Sequence, residues 1–376
     1  MTIKILFFGE LDIHQRDFLT FLNEHGYEVT IINTSTWEYP STISSNIKIV
    51  NFYQNSSIPL LFKGPLGLLR KQVLYFILQH NGSIREKVNR IVKDNQIDVI
   101  YGSWGSTNLP ELRILKKIDI PLIYEFLTYP NYVLSRLEKI ENNLNKSIIA
   151  KMQGRIFPSE RMKNYMLLKF NLDKGLNLCF QESYSLSCFY KQRLAKLSKI
   201  DNEPHLVFLG TDAYNIEKQI QALTKRKIHI HLCTKDALSI YDQKYVHKFD
   251  KFTYEKLFNG EFATFLTQFD ACLVTYNFEG ASALARYQNG LPNRFSFALT
   301  AGIPLVLPNG YLNACQQVVE EHKIGFAYET FDDLASALLE KDTMDKCALN
   351  ALSNRESFAL EKNFDKINTF IKAVIG

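Results

Sequence analysis

Leu291–Pro308 reads LPNRFSFALTAGIPLVLP. Pro292 and Asn293 signal a helix start, with Asn293 as the expected N-cap; Phe295, Phe297, Ala298 and Leu299 carry the helix, and Ala301-Gly302 closes it. The next six residues, IPLVLP, form an apolar run of strand length. A capped helix feeding a buried strand is half of a βαβ unit, and the rest of the chain repeats the pattern. Upstream lie the strand-like runs HLVFLG (205–210), IHIHLC (228–233) and DACLVTY (270–276), with a helix expected over 258–269. Downstream, a helix after Asn313 leads to GFAYE (325–329), and further helices run from Phe331 to the end.

The first half is built in the same way. Ile3–Phe8 reads as a strand ending at Gly9, followed by a helix through Phe18, Leu19 and Leu22 and a second strand over Tyr27–Asn33. The alternation continues with a helix over Ile84–Val92, strands over Asp98–Tyr101 and Pro121–Tyr124, helices after Pro110 and Asn131, and RIFPSE at 155–160. Continuously apolar strands imply parallel sheets covered on both faces, and right-handed crossovers imply doubly wound layers. The expected fold class is therefore α/β, with two Rossmann-like parallel-sheet domains facing across a cleft. The expected bounds are a first domain over 1–184, a linker over 185–204, a second domain over 205–352 and a terminal helix over 353–376 packing back on the first domain.

Composition removes several function classes. The 376 residues carry a net charge of +5, all of it from the first 183 residues, with 22 Lys+Arg against 17 Asp+Glu; such a mild excess is not a nucleic-acid-binding stripe. Six cysteines without a CxxC pair read as buried free thiols, and the eight histidines show no metal-ligand spacing. His229 and His231 alternate in a strand and share a face. No Walker loop or GxGxxG fingerprint occurs, which disfavours a Rossmann dehydrogenase. The start lacks a signal-peptide pattern and no long apolar run reads as a membrane span. The stretch LLFKGPLGLLRKQVLYFILQH (60–80) combines an apolar stripe with Arg70-Lys71 and suits peripheral contact with an anionic membrane, or a buried domain helix.

The chemistry is expected where strands end. A helix starting at Pro292-Asn293 presents free N–H groups and, with Arg294 beside them, can hold a diphosphate. Gly9 permits close backbone approach at the end of the first strand, next to Glu10. GSWGS (102–106) ends another strand, offering Ser103 and a Trp104 face for stacking on a sugar or packing in the core. Glu125 in IYEFLTYP, at the end of the next strand, is the acid/base candidate.

The run from Pro292-Asn293-Arg294 through Ala301-Gly302-Ile303-Pro304-Leu305-Val306 to Gly325-Phe326 resembles the C-terminal signature of group 1 glycosyltransferases of the GT-B fold. The likeness extends to HLVFLG, the first βαβ unit and RIFPSERM. It implies a retaining hexosyltransferase that moves a sugar from a nucleoside diphosphate sugar to a saccharide or lipid-linked saccharide acceptor in surface glycan synthesis. The free cysteines fit a cytoplasmic setting and the 60–80 stretch a peripheral place at the membrane, and no cofactor or metal is expected. Two departures stand out. Phe297 occupies the place of the family's ribose-binding acid, with Glu279 as the substitute candidate; Thr211 replaces the Arg of a basic pair whose Lys corresponds to Lys218. Gly210, Tyr276 and Asn277, at strand ends of the second domain, complete the expected substrate-binding set. The rivals are a non-catalytic GT-B partner or sugar-binding subunit and a nucleotide-sugar 2-epimerase.

Overall fold

The structure, a computed structural model, describes residues 2–9, 11–33, 45–51, 82–103, 115, 118–129, 146, 148–172, 174–180, 184–210, 216–234, 242–278 and 284–376. The chain divides into two compact units: unit 1 comprises 1–180 with 365–376, and unit 2 comprises 181–364.

Among the described residues, unit 1 is built on a seven-stranded parallel sheet. Its strands are β1 (Lys4–Gly9), β2 (Glu28–Asn33), β3 (Lys48–Asn51), β4 (Val99–Ser103), β5 (Leu122–Glu125), β6 (Gly154–Phe157) and β7 (Leu176–Cys179), in the order β3-β2-β1-β4-β5-β6-β7. Ile5, Leu6, Phe7 and Phe8 are all buried, as two-sided helical cover requires. The helix Ile13–Glu24 starts with a capping box: Asp12 accepts from the Gln15 backbone N–H while the Gln15 side chain accepts from the Asp12 N–H.

Unit 2 repeats the order with six parallel strands: β8 (His205–Phe208), β9 (His229–Leu232), β10 (Val246–Lys248), β11 (Ala271–Leu273), β12 (Leu305–Pro308) and β13 (Gly325–Tyr328), arranged β10-β9-β8-β11-β12-β13. One face of this sheet carries Leu206, Phe208, Ile230, Leu232 and Val246 into a core with Ile216, Ile220 and Leu223 of the adjoining helical segment. The order turns outward in both directions from β1/β4 in unit 1 and from β8/β11 in unit 2. Those are the topological switch points at which open α/β sheets bind ligands.

Several details differ from the sequence reading. Residues 185–204, read from the sequence as a linker, fall within unit 2. The Leu194 N–H donates to Thr267 Oγ1, that of Leu197 to the Gln268 carbonyl, and Lys196 Nζ to the Phe269 carbonyl at 2.6 Å. The single helix expected over 258–269 is two, Tyr254–Phe258 and Glu261–Leu266, broken at Gly260. There φ is +82° and a Cβ would stand 2.2 Å from the Phe189 carbonyl oxygen. Pro292, not Asn293, is the N-cap of Asn293–Ala301. The expected helices after Pro110 and Asn131 and the 60–80 stretch lie largely or wholly outside the described residues. Among the described residues no helix is long and apolar enough to cross a membrane.

The final helix, Leu360–Ile375, ends in unit 1. Asn368 accepts from the Tyr27 hydroxyl at 2.7 Å and Lys366 Nζ donates to the Cys179 carbonyl at 2.7 Å. Gly154 in β6 lies beneath this helix: a Cβ there would stand 2.7 Å from Val374 Cγ2 and 3.0 Å from both Ile123 and Phe370. Gly154→Ala is expected to lower stability by about 1–3 kcal/mol through overpacking, read as a lower urea midpoint with unchanged slope.

Candidate functional site

At the switch point of unit 2, Phe208 ends β8 and Thr275-Tyr276 follow β11. Val274 still donates to the Val306 carbonyl, beyond which the chain leaves the sheet. The helix Asn293–Ala301 begins against these ends, placing Arg294 between two rings. Its guanidinium carbon lies 4.7 Å from the Phe208 centroid and 4.3 Å from that of Tyr276, and its Nη1 donates to the Thr275 carbonyl at 2.9 Å. Stacking and one hydrogen bond thus fix the plane of the cation. That bond uses one of five N–H donors, so the fork retains the capacity to bind an anion. Gly210 supports the clamp, because a Cβ there would come within 2.3 Å of the Phe208 ring. Burial pushes the Tyr276 hydroxyl pKa up, with the Arg294 charge opposing, so the ring stays neutral against the cation.

Beside this clamp lies a cavity of about 430 Å³ at the carboxyl ends of β12 and β13. Lys218, Thr275, Asn277, Phe278, Tyr311 and Glu329 are among its lining residues. Phe278 and Tyr311 stack with centroids 4.4 Å apart. Asn309 donates to the Glu329 carboxylate. Gln219 Nε2 reaches the Tyr276 carbonyl at 3.3 Å and ties the helix that carries Lys218 to the same edge. The structure therefore brings Lys218 and Asn277 to the cavity, and Arg294 and Tyr276 to the adjoining clamp. Phe297 is not brought there. Its ring stacks on Tyr184 at 4.9 Å and meets Phe262 edge-on at 5.2 Å, inside unit 2. Pro292 and Asn293 start the helix beside the clamp. Glu10, Trp104, Thr211 and Glu279 lie outside the described residues.

At the switch point of unit 1, β1, β4 and β5 end together at Gly9, Ser103 and Glu125, the last two paired in register. The helix Ile13–Glu24 brings His14 and Gln15 over these ends. His14 Nε2 is 3.2 Å from Glu125 Oε1, the Tyr101 hydroxyl donates to Glu125 Oε2 at 2.5 Å, and Gln15 Nε2 donates to Ser103 Oγ at 2.7 Å. His14 is 0% and Glu125 2% exposed, so the pair is held out of water. Burial also pushes the pKa of the nearby Asp12 carboxyl up, with His14 opposing. A carboxylate that fixes an imidazole in one orientation is the arrangement general-base chemistry uses. Sequence reading found Glu125 and missed His14. The available signal was its place two residues past the capping Asp12, on the first turn after β1.

No family model matches the chain, and no curated protein matches it by sequence. Its architecture is nonetheless shared with solved structures. Sucrose-phosphate synthase of Thermosynechococcus elongatus superposes with a TM-score of 0.72 at 13% identity over 98% of both chains. A glycosyltransferase of Rickettsia africae superposes at 0.64 with 13% identity over 99% of both. HepE of Anabaena, in complex with UDP-glucose, superposes at 0.66 with 14% identity over 99% of this chain and 100% of that one. The fold is GT-B, two doubly wound Rossmann-like domains.

Removing the Glu125 carboxylate leaves Tyr101 and His14 without their buried acceptor. Glu125→Ala is expected to cost about 3 kcal/mol or more, from two bonds of roughly 1.5–3 kcal/mol each, measured by urea unfolding.

Proposed function

We propose that the protein is a glycosyltransferase that takes a nucleoside diphosphate sugar as donor and transfers its hexosyl group to a saccharide acceptor. The observation that carries this reading is the Arg294 clamp, a cation of fixed orientation at a helix start, on the switch point of unit 2 and next to a 430 Å³ cavity. When the bond between the anomeric carbon of the donor sugar and the diphosphate oxygen breaks, negative charge develops on the leaving diphosphate. Oriented N–H donors stabilise it without rearranging. Lys218, on the cavity wall, adds a second positive charge. Phe278 and Tyr311 offer the aromatic surface a nucleobase stacks on, and Asn277 and Glu329 the polar groups that a base edge or ribose hydroxyl requires.

The donor is a UDP-sugar in this reading, supported by the UDP-glucose complex of the HepE structure, which shares the fold. In unit 1, His14 is the group suited to take a proton from an acceptor hydroxyl, with Glu125 as the residue that orients it. Ser103, held by Gln15, and Gly9 border the same strand ends and are proposed to meet the acceptor. The resemblance to group 1 enzymes favours retention at the anomeric carbon; the oriented imidazole favours inversion. Proton NMR of the first-formed product distinguishes the two directly. Glu10, Trp104, Thr211 and Glu279 remain proposed substrate contacts on the sequence argument alone, as does a lipid-linked form of the acceptor met through residues 60–80.

Calorimetry with UDP tests the donor assignment. Arg294→Ala is expected to weaken binding by tenfold or more, since a charge-assisted bond contributes about 1.5–3 kcal/mol. Arg294→Lys is expected to recover little of that loss, because an ammonium neither stacks nor forks. Phe297→Leu should leave UDP affinity unchanged. Absence of binding by every nucleoside diphosphate, or equal affinity in wild type and Arg294→Ala, would sink the reading.

A further inference from the structure

Four histidines, of which sequence spacing connects only His229 and His231, meet on one face of the unit 2 sheet; His205 and His229 are the first residues of their strands, at the opposite end from the Arg294 clamp. His205 of β8 sits beside His229 of β9 in register, and His231 of β9 beside His247 of β10. The contacts run diagonally. His205 Nδ1 is 2.8 Å from His231 Nε2, and His229 Nδ1 is 2.8 Å from His247 Nε2. The remaining nitrogens of the inner pair point at carboxylates from the segment preceding β8. His205 Nε2 is 3.0 Å from Asp201 Oδ2; His229 Nε2 is 2.9 Å from Glu203 Oε2 and 3.4 Å from Asp201 Oδ2. Ligand atoms of Asp201, His205 and His229 all lie within 4.8 Å of one another.

We propose that Asp201, His205 and His229 form a zinc site, with Glu203 or water in the fourth position, that fastens residues 198–203 to the edge of the sheet. Tetrahedral zinc with bonds of about 2.0–2.2 Å to nitrogen and oxygen holds its ligand atoms roughly 3.3 Å apart, and the three His–carboxylate contacts, at 2.9–3.4 Å, match edges of such a polyhedron. Two imidazoles and one or two carboxylates suit zinc rather than calcium or magnesium, which take oxygen ligands. Each inner imidazole already has an outer partner for its second nitrogen, the arrangement that fixes the orientation of metal-bound histidines.

The proton balance is simple. A carboxylate accepts only, so in the metal-free network His205 and His229 donate from Nε2 and accept at Nδ1 from His231 and His247. With zinc on Nε2 both pairs reverse: His205 and His229 donate from Nδ1, His231 and His247 accept at Nε2 with their single proton moved to Nδ1, and no net proton is released. Access is through Asp201, whose side chain is 35% exposed. The His205 and His229 rings are stacked, 4.2 Å apart and 7° from parallel, so the ion draws them out of parallel until it lies in both planes.

Full-length protein stripped with EDTA and titrated calorimetrically with Zn2+ is expected to bind one ion per chain. Co2+ should give the intense visible bands of a tetrahedral site, and Zn2+ should raise the thermal unfolding midpoint. Asp201→Asn, at a surface position, and His229→Gln are each expected to weaken Zn2+ by tenfold or more and to abolish the thermal shift. His322→Gln, elsewhere in unit 2, should change neither. Circular dichroism establishes that each variant is folded, and Asp201→Asn carries the test if His229→Gln is not. The assignment is overturned by absence of stoichiometric uptake in the wild type, or by equal Zn2+ affinity in wild type and a folded Asp201→Asn.

Discussion

Parallel strands cannot be joined by hairpins. Every connection in either sheet must cross over and cover a face, which leaves the strand ends as the places where polar backbone and functional side chains collect. Both units start from a central strand and build outward on each side of it, so that connections depart in opposite directions at β1/β4 and at β8/β11. That divergence opens the gap in which Arg294 stands between Phe208 and Tyr276, and the strand ends over which His14 meets Glu125. Neither constellation is a local motif. Each is assembled from residues far apart in sequence and fixed by strand order.

The two constellations differ in how they are held. Arg294 is held by stacking and one carbonyl, an arrangement that sets the plane of the guanidinium while leaving donors for a ligand. The unit 1 network is closed on itself: Glu125 takes both His14 and Tyr101, and Gln15 takes Ser103 while serving the helix cap. A site of the first kind binds. A site of the second kind keeps a proton acceptor in a defined orientation away from bulk water.

Strands buried on both faces are legible because their residues are apolar without interruption, as Ile5–Phe8 and Leu305–Leu307 show. The segment around Leu291–Pro308 correctly placed Arg294 at a helix start because cap, helix and strand follow one another locally. The edge strands β3 and β10 were not legible, being short and half polar. The break at Gly260 depends on the Phe189 carbonyl, some seventy residues away in the chain, and no window of sequence contains both. For the same reason His14, and the meeting of His229 and His231 with His205 and His247, escaped notice: their neighbours come from other strands, and parallel register decides which residues become adjacent. Phe297 looked like a lost ligand by alignment of motifs, whereas its surroundings, Tyr184 and Phe262, make it part of an aromatic packing cluster.

Unit 1 is discontinuous: its last twelve residues, 365–376, come after the whole of unit 2. On the ribosome its seven strands are therefore made long before the helix turn that covers Gly154 and meets Tyr27. Until the final residues emerge, the notch over β6 faces water, and β7 lacks the Lys366 contact to Cys179. Completion of the first unit thus waits on synthesis of the second, so a chain cut short before residue 365 forfeits the integrity of the part made earliest.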